Sequence, residues 1–223
     1  MKILKEILGS SLIASLVAFS GFVALEAQIV AASHGGAPTD PDTDVVLINQ
    51  TVTSGITISD GADVTMSQAI STGANTAVGT TSWTVITNDT AGYTLAITAE
   101  DHASCASNDA LCDIATGNSF TDRSTVLSTW SVTNAYEFGF SAFGSDNTGW
   151  GTGSLCESAT NVPSTSLLYS GLSQGTGIQI ASSTTVTPVA GTATTVCFAA
   201  EQAGVFAPSG TYQATTTGTA TTQ

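Results

Sequence analysis

"SWTVITNDTAGYTLAIT", residues 82–98, decides how the rest of the chain is read. Its second arm alternates, with Tyr93, Leu95 and Ile97 on one parity and Thr94, Ala96 and Thr98 on the other. A period of two is the mark of a strand with one buried face. The first arm, with Trp83 and Val85, alternates more loosely. Between the arms lie Asn88, Asp89, Thr90, Ala91 and Gly92, residues that turns accept. From Val45 onward the same grammar repeats. Strands are expected near 45–52, 54–59, 62–70, 82–88, 92–99, 126–133, 135–143, 166–170, 177–182, 193–201 and 211–219, punctuated by Gly, Asn, Asp, Ser or Pro. No window after the N-terminal segment holds a 3.6-residue apolar period. Short strands without helical crossovers point to an all-β, antiparallel β-sandwich of about 9–11 strands. Within 135–143, Tyr136, Phe138 and Phe140 should face the core, and Glu137, Gly139 and Ser141 the solvent.

Composition agrees. Only 9% of the 223 residues are charged, so water must be met mainly by hydroxyls. Thr is abundant, and its branched Cβ suits a strand while its hydroxyl suits an exposed face. Seventeen acids against three Lys+Arg give a formal charge of -14, and beyond Lys2 and Lys5 the only basic side chain is Arg123. Nucleic-acid binding needs Lys and Arg to neutralise phosphates, so no nucleic-acid partner is expected. Attraction to anionic lipid headgroups is excluded on the same ground.

Residues 1–32 have the form of an export signal. Lys2 and Lys5 precede an uncharged, mostly apolar run from Ile7 to Leu25, and Val30-Ala31-Ala32 offers the small-residue pattern that precedes cleavage. Retained instead as an anchor helix, that run would span about 28 Å, near the hydrocarbon thickness of a bilayer. This would be the chain's one membrane contact. "GFVALE", Gly21–Glu26, matches the prepilin processing site, but the apolar run lies before the cut rather than after it. Residues 33–44, "SHGGAPTDPDTD", form a Gly/Pro/Asp linker to a single β domain, 45–223. Its "DPDTD" fails as a calcium loop, because Val45 and Thr51 stand where Gly and Glu are required. No metal or cofactor is expected.

Four cysteines, Cys105, Cys112, Cys156 and Cys197, suit an oxidising compartment. Three pairings are open, and we favour Cys105–Cys112 within one polar loop and Cys156–Cys197 tying a long loop to a strand. Close C-x₂₋₄-C pairs, which a zinc site needs, do not occur. That long loop, 145–165, holds Trp150 among glycines, either as a stacking platform for a sugar or as an aromatic folded over the sheet edge.

Catalytic signals are thin. The only histidines are His34, in the linker, and His102, beside Glu100 and Asp101. "GLSQG", Gly171–Gly175, matches the G-x-S-x-G elbow, but no histidine follows His102 to serve Ser173 in hydrolase order. "GWGTGS" lacks the Lys of a phosphate loop. No catalytic residue is assigned, and the chain is expected not to be an enzyme.

Within 82–98, "TNDTAGYTL" resembles the motif of WxL-domain proteins, where a turn of Asn/Asp-Thr-Gly type leads into Trp-x-Leu. Here Tyr93-Thr94-Leu95 stands in that place, so the defining Trp is replaced. The resemblance implies a β-sandwich held non-covalently on the bacterial cell wall or on surface partners. A secreted or surface-attached protein with a structural or adhesive role is therefore the leading expectation. A self-assembling surface-layer or filament subunit using strand addition, and a carbohydrate-binding module, are the alternatives.

Overall fold

The computed structural model describes residues 47–59, 61–100, 105, 109–172 and 174–223. The expected export signal, 1–32, and linker, 33–44, lie outside these residues, as do His34, His102 and Ser173. Ser54–Gln223 forms one compact unit. Among the described residues there is no helix, and the architecture is all-β.

Three long strands carry the main sheet: β2 (Thr76–Thr87), β7 (Tyr136–Gly144) and β12 (Thr192–Gln202). β12 lies between the other two and pairs antiparallel with both. The sheet is extended beyond β2 by β1 (Ile56–Ile58), and beyond β7 by β5 (Asn118–Asp122) and β4 (Leu111–Asp113). β5 meets β7 in parallel, so the sheet is mixed. A second sheet has β3 (Tyr93–Ala99) between β11 (Ile178–Ser183) and β13 (Thr216–Thr222). Short pairs complete the fold: β6 (Ser128–Thr129) with β10 (Leu168–Tyr169), and β8 (Glu157–Ala159) with β9 (Val162–Pro163). A two-way backbone bridge between Cys112 and Gln213 links β4 to the segment entering β13, so the assembly curls into a half-barrel.

The two arms of 82–98 therefore enter different sheets. Residues 88–92 form a corner rather than a hairpin. The Asp89 carbonyl accepts from the Gly92 amide, and Asp89 Oδ1 accepts from the Ala91 amide at 2.9 Å. Gly92 has φ +85°, and a Cβ there would collide with the Ser183 carbonyl, so only glycine fits this corner.

The core lies where both sheets turn their apolar parity inward: Trp83 and Val85 from β2, Tyr93, Leu95 and Ile97 from β3, Phe138 and Phe140 from β7, Val196 and Phe198 from β12. Phe138 and Phe198 stack with ring centroids 6.1 Å apart. On exposed faces, hydroxyls pair across strands, as Ser82 with Thr195 at 2.9 Å and Thr94 with Thr221 at 2.7 Å.

Several expectations need correction. Glu137, Gly139 and Ser141 do not face solvent; Glu137 is 1% exposed and Ser141 is fully buried. The outer face of the main sheet is covered by parts of residues 123–134 and 150–172, where Cys156, Leu167 and Tyr169 form a second apolar cluster with Val78 of β2 and Cys197 and Ala199 of β12. The stretch 145–165 is thus partly cover rather than a wholly exposed loop. No strand forms over 62–70, or over the described part of 45–52. Ser59 and residues 61–68 instead track the edge of β2 through scattered bonds, among them Ser67 amide to Val78 carbonyl at 2.7 Å and Thr81 Oγ1 to Ala62 carbonyl at 2.8 Å. Strands β4 and β5, inside a cysteine-bearing polar region, were not foreseen.

Candidate functional site

Arg123 stands at the start of the outer cover, just after β5. Its side chain is 7% exposed. Nη1 donates to Glu137 Oε2 at 3.1 Å and to the Ser131 carbonyl at 2.5 Å. Nη2 donates to Ser128 Oγ at 2.9 Å and the Thr129 carbonyl at 3.2 Å. The guanidinium carbon lies 4.8 Å from the centroid of Trp130, a cation–π contact. Trp130 in turn donates from Nε1 to Glu201 Oε2 at 2.5 Å and meets Tyr169 edge-on at 5.0 Å. The Tyr169 hydroxyl accepts from the Ser164 amide and donates to the Cys156 carbonyl. Burial pushes that phenol up to about 12.

Glu137 is the counter-charge. Its Oε1 accepts four donors, the amide and hydroxyl of Thr133 and the amide and side-chain nitrogen of Asn134, at 2.5–2.9 Å. Burial alone would raise this carboxyl, but those donors and the Arg123 charge outweigh it and hold it below the ordinary glutamate range. Glycine makes room for the arrangement. A Cβ on Gly171 would collide with the Arg123 carbonyl, and one on Gly139 would come within 2.7 Å of Arg123 Cδ. The first glycine of "GLSQG" thus has a packing reason of its own.

A second polar cluster sits around β4 and β5. Asp109 Oδ1 accepts from the Asp122 amide at 3.0 Å and Oδ2 from Ser119 Oγ at 2.5 Å. Asp122 Oδ2 accepts from the Ala110 amide at 3.0 Å, while Oδ1 is buried with no partner. Burial pushes Asp122 up to about 7, with the Asp109 charge adding to it. Beside this pair lies an open, polar groove of about 370 Å³ lined by Asp109, Asn118, Ser119, Thr121, Asn134 and Tyr136, among others. Among the described residues no three His, Cys, Asp or Glu side chains are grouped to hold a metal ion.

The cysteines are brought together as Cys105–Cys112 and Cys156–Cys197, with Cα atoms 6.1 and 5.4 Å apart. The second pair ties the outer cover to β12. Trp150 is 3% exposed and packs on Phe140 with centroids 5.0 Å apart. Its ring offers no open platform for a sugar; it is part of the core. Tyr93, at the Trp position of the resembled motif, is buried and donates to Asp146 Oδ2 at 2.8 Å. Burial, with the Asp146 carboxylate, raises its phenol.

Sequence reasoning did not single out Arg123, Trp130, Glu137 and Glu201 as one site. The available signal was that Arg123 is the only Lys or Arg after Lys5 in an acidic chain. No protein-family model, curated protein or solved structure matches the chain.

Proposed function

We propose that this chain is a non-enzymatic, exported structural protein of the bacterial cell surface, acting as a coat or adhesive component. Its two main sheets are taken as the layers of an antiparallel β-sandwich, and cell-wall or other surface components as its partners. The observation that carries this reading is the use made of the polar residues. Arg123, Glu137, Trp130 and Glu201 are spent on locking the outer cover to β7 and β12, and Cys156–Cys197 adds a second tie in the same layer. A cation held between a carboxylate and an indole, with four donors on one carboxylate oxygen, has the form of a scaffold element; of the guanidinium nitrogens only the buried Nε is left without a partner. Cysteine pairing supports an oxidising location. The local resemblance at 82–98 supports attachment to a bacterial surface.

Cell fractionation with non-reducing peptide mapping tests the reading. Envelope or culture-medium material with both cysteine pairs closed is expected; a cytosolic protein with four free thiols overturns it.

A further inference from the structure

A sheet edge is a template for another strand unless something blocks it. Most edges of this fold are blocked. Beyond the three residues of β1, the edge of β2 is taken up by Ser59 and residues 61–68. β4 exchanges both backbone bonds with Gln213 at 2.9 Å. β11 is bulged between Gln179 and Ala181, and its outer side is occupied by the Asp146 carbonyl, which accepts from the Ser182 amide, and by Asn147, which donates to the Ile180 carbonyl at 2.6 Å.

β13 is different. It pairs with β3 over seven residues without a register shift and contains neither charge nor proline. The Thr215 carbonyl accepts from Glu100 and the Gln223 amide donates to Gly92, so the odd-numbered residues bond towards β3. By antiparallel alternation, Thr216, Gly218, Ala220 and Thr222 direct their amides and carbonyls outward. One face of β13 is Thr217, Thr219 and Thr221, all exposed. The other is half-buried: Ala220 packs on the core, and Gly218 lies so close under Trp83 that a Cβ would come within 2.9 Å of the indole.

The chain also carries a strand-like segment without a ladder. Residues 47–52, "LINQTV", have no strand assigned, and Leu47, Ile48 and Val52 are 62%, 86% and 77% exposed. The segment is uncharged. As a strand it would run roughly 20 Å, close to the length of β13, with Ile48, Gln50 and Val52 on one face.

We propose that residues 47–52 of one copy add as a strand to the outer edge of β13 in a second copy. The inference rests on the surface reading only for where assembly takes place. Ile48 and Val52 would continue the core-side face beyond Gly218 and Ala220, the face that packs on the core. A second β13 in that position would bring only Thr, Gly and Ala, which is why the arm is the better occupant. Neither element is charged, so copies with a formal charge of -14 can meet there without like charges in the ladder. The arm and the edge are different surfaces, so the contact is heterologous and continues into an open chain of subunits rather than closing as a dimer.

The test uses the protein purified from the cells that make it, studied by light scattering across protein concentration and salt, with electron microscopy of the products. The expected result is oligomers that grow with concentration and with ionic strength, as screening removes long-range repulsion. Ile48→Asp combined with Val52→Asp should weaken assembly by about tenfold or more, since strand addition would bury those charges, with an unchanged melting temperature. Ala220→Pro, which removes an outward donor but no bond to β3, should weaken it as well. Three results overturn the proposal: a monomer under all conditions, oligomers indifferent to the arm substitutions, or a closed dimer lost in Ala220→Pro alone. A cytosolic location with intact assembly would instead refute the surface reading and leave this one standing.

Discussion

Arg123 and Glu137 form a buried ion pair, Nη1 to Oε2 3.1 Å, that joins the outer cover to the centre of the main sheet. The remaining lone pairs and donors of the two groups are largely taken, which is the condition under which a buried pair is tolerable. Breaking it from one side is costly because the other charge is left inside.

Arg123→Ala should therefore destabilise the fold by about 3–5 kcal/mol, measured by urea denaturation. Arg123→Lys should recover little of this, since an ammonium cannot reproduce the fork of contacts or lie flat on Trp130. Glu137 adds a pH signature. Its carboxyl is held below its unfolded value, so its contribution is present above the unfolded pKa and is lost as pH falls through the folded one. Glu137→Gln should flatten that acid limb.

Asp122 has the opposite sign. Its folded pKa, about 7, lies above that of an unfolded aspartate, so between about pH 4 and 7 the folded chain binds more protons than the unfolded one. Stability due to this group is full below that window, falls through it and is lowest above it. Asp122→Asn should remove the slope and raise stability near pH 8 by on the order of 2–4 kcal/mol, with little effect at pH 4. A slope unchanged by the substitution would refute the assignment.

Opening the cysteine pairs separately should give unequal costs. The chain-entropy relation gives about 4 kcal/mol for Cys156–Cys197 and about 2.5 kcal/mol for Cys105–Cys112. Serine pairs at each position, compared by denaturation, check the ranking.

Trp150→Ala should cost about 3–5 kcal/mol in stability, because the ring fills core against Phe140. A glycan array on the same variant serves as the control. Loss of sugar binding at unchanged stability would contradict the burial described here.

Much of the fold was legible in side-chain alternation. Tyr93, Leu95 and Ile97 are all fully buried, as their parity required, and both cysteine pairings follow the expected arrangement. The errors are informative. In 62–70, Val64, Met66, Gln68 and Ile70 do alternate towards the interior, yet Ser67 and its neighbours meet β2 through scattered bonds and no ladder forms. Alternation reports which side is buried; it does not report where the amides go. Glu137 and Ser141 were misplaced because what covers them comes from residues 123–134 and 150–172, whose return to that face is a property of topology. The lock around Arg123 was hidden for the same reason: Trp130 and Glu201 are 71 residues apart.

The Cys156–Cys197 tie has a mechanical consequence. It joins points 41 residues apart, one of them on the central strand β12. When such a molecule is pulled from its ends, that length of chain, roughly 140 Å if fully extended, stays out of the stretch. Tension passes through the sulfur link instead, so β8 to β11, with Tyr169 among them, are shielded from load, while Trp130 and the strands outside the loop stay on the loaded path.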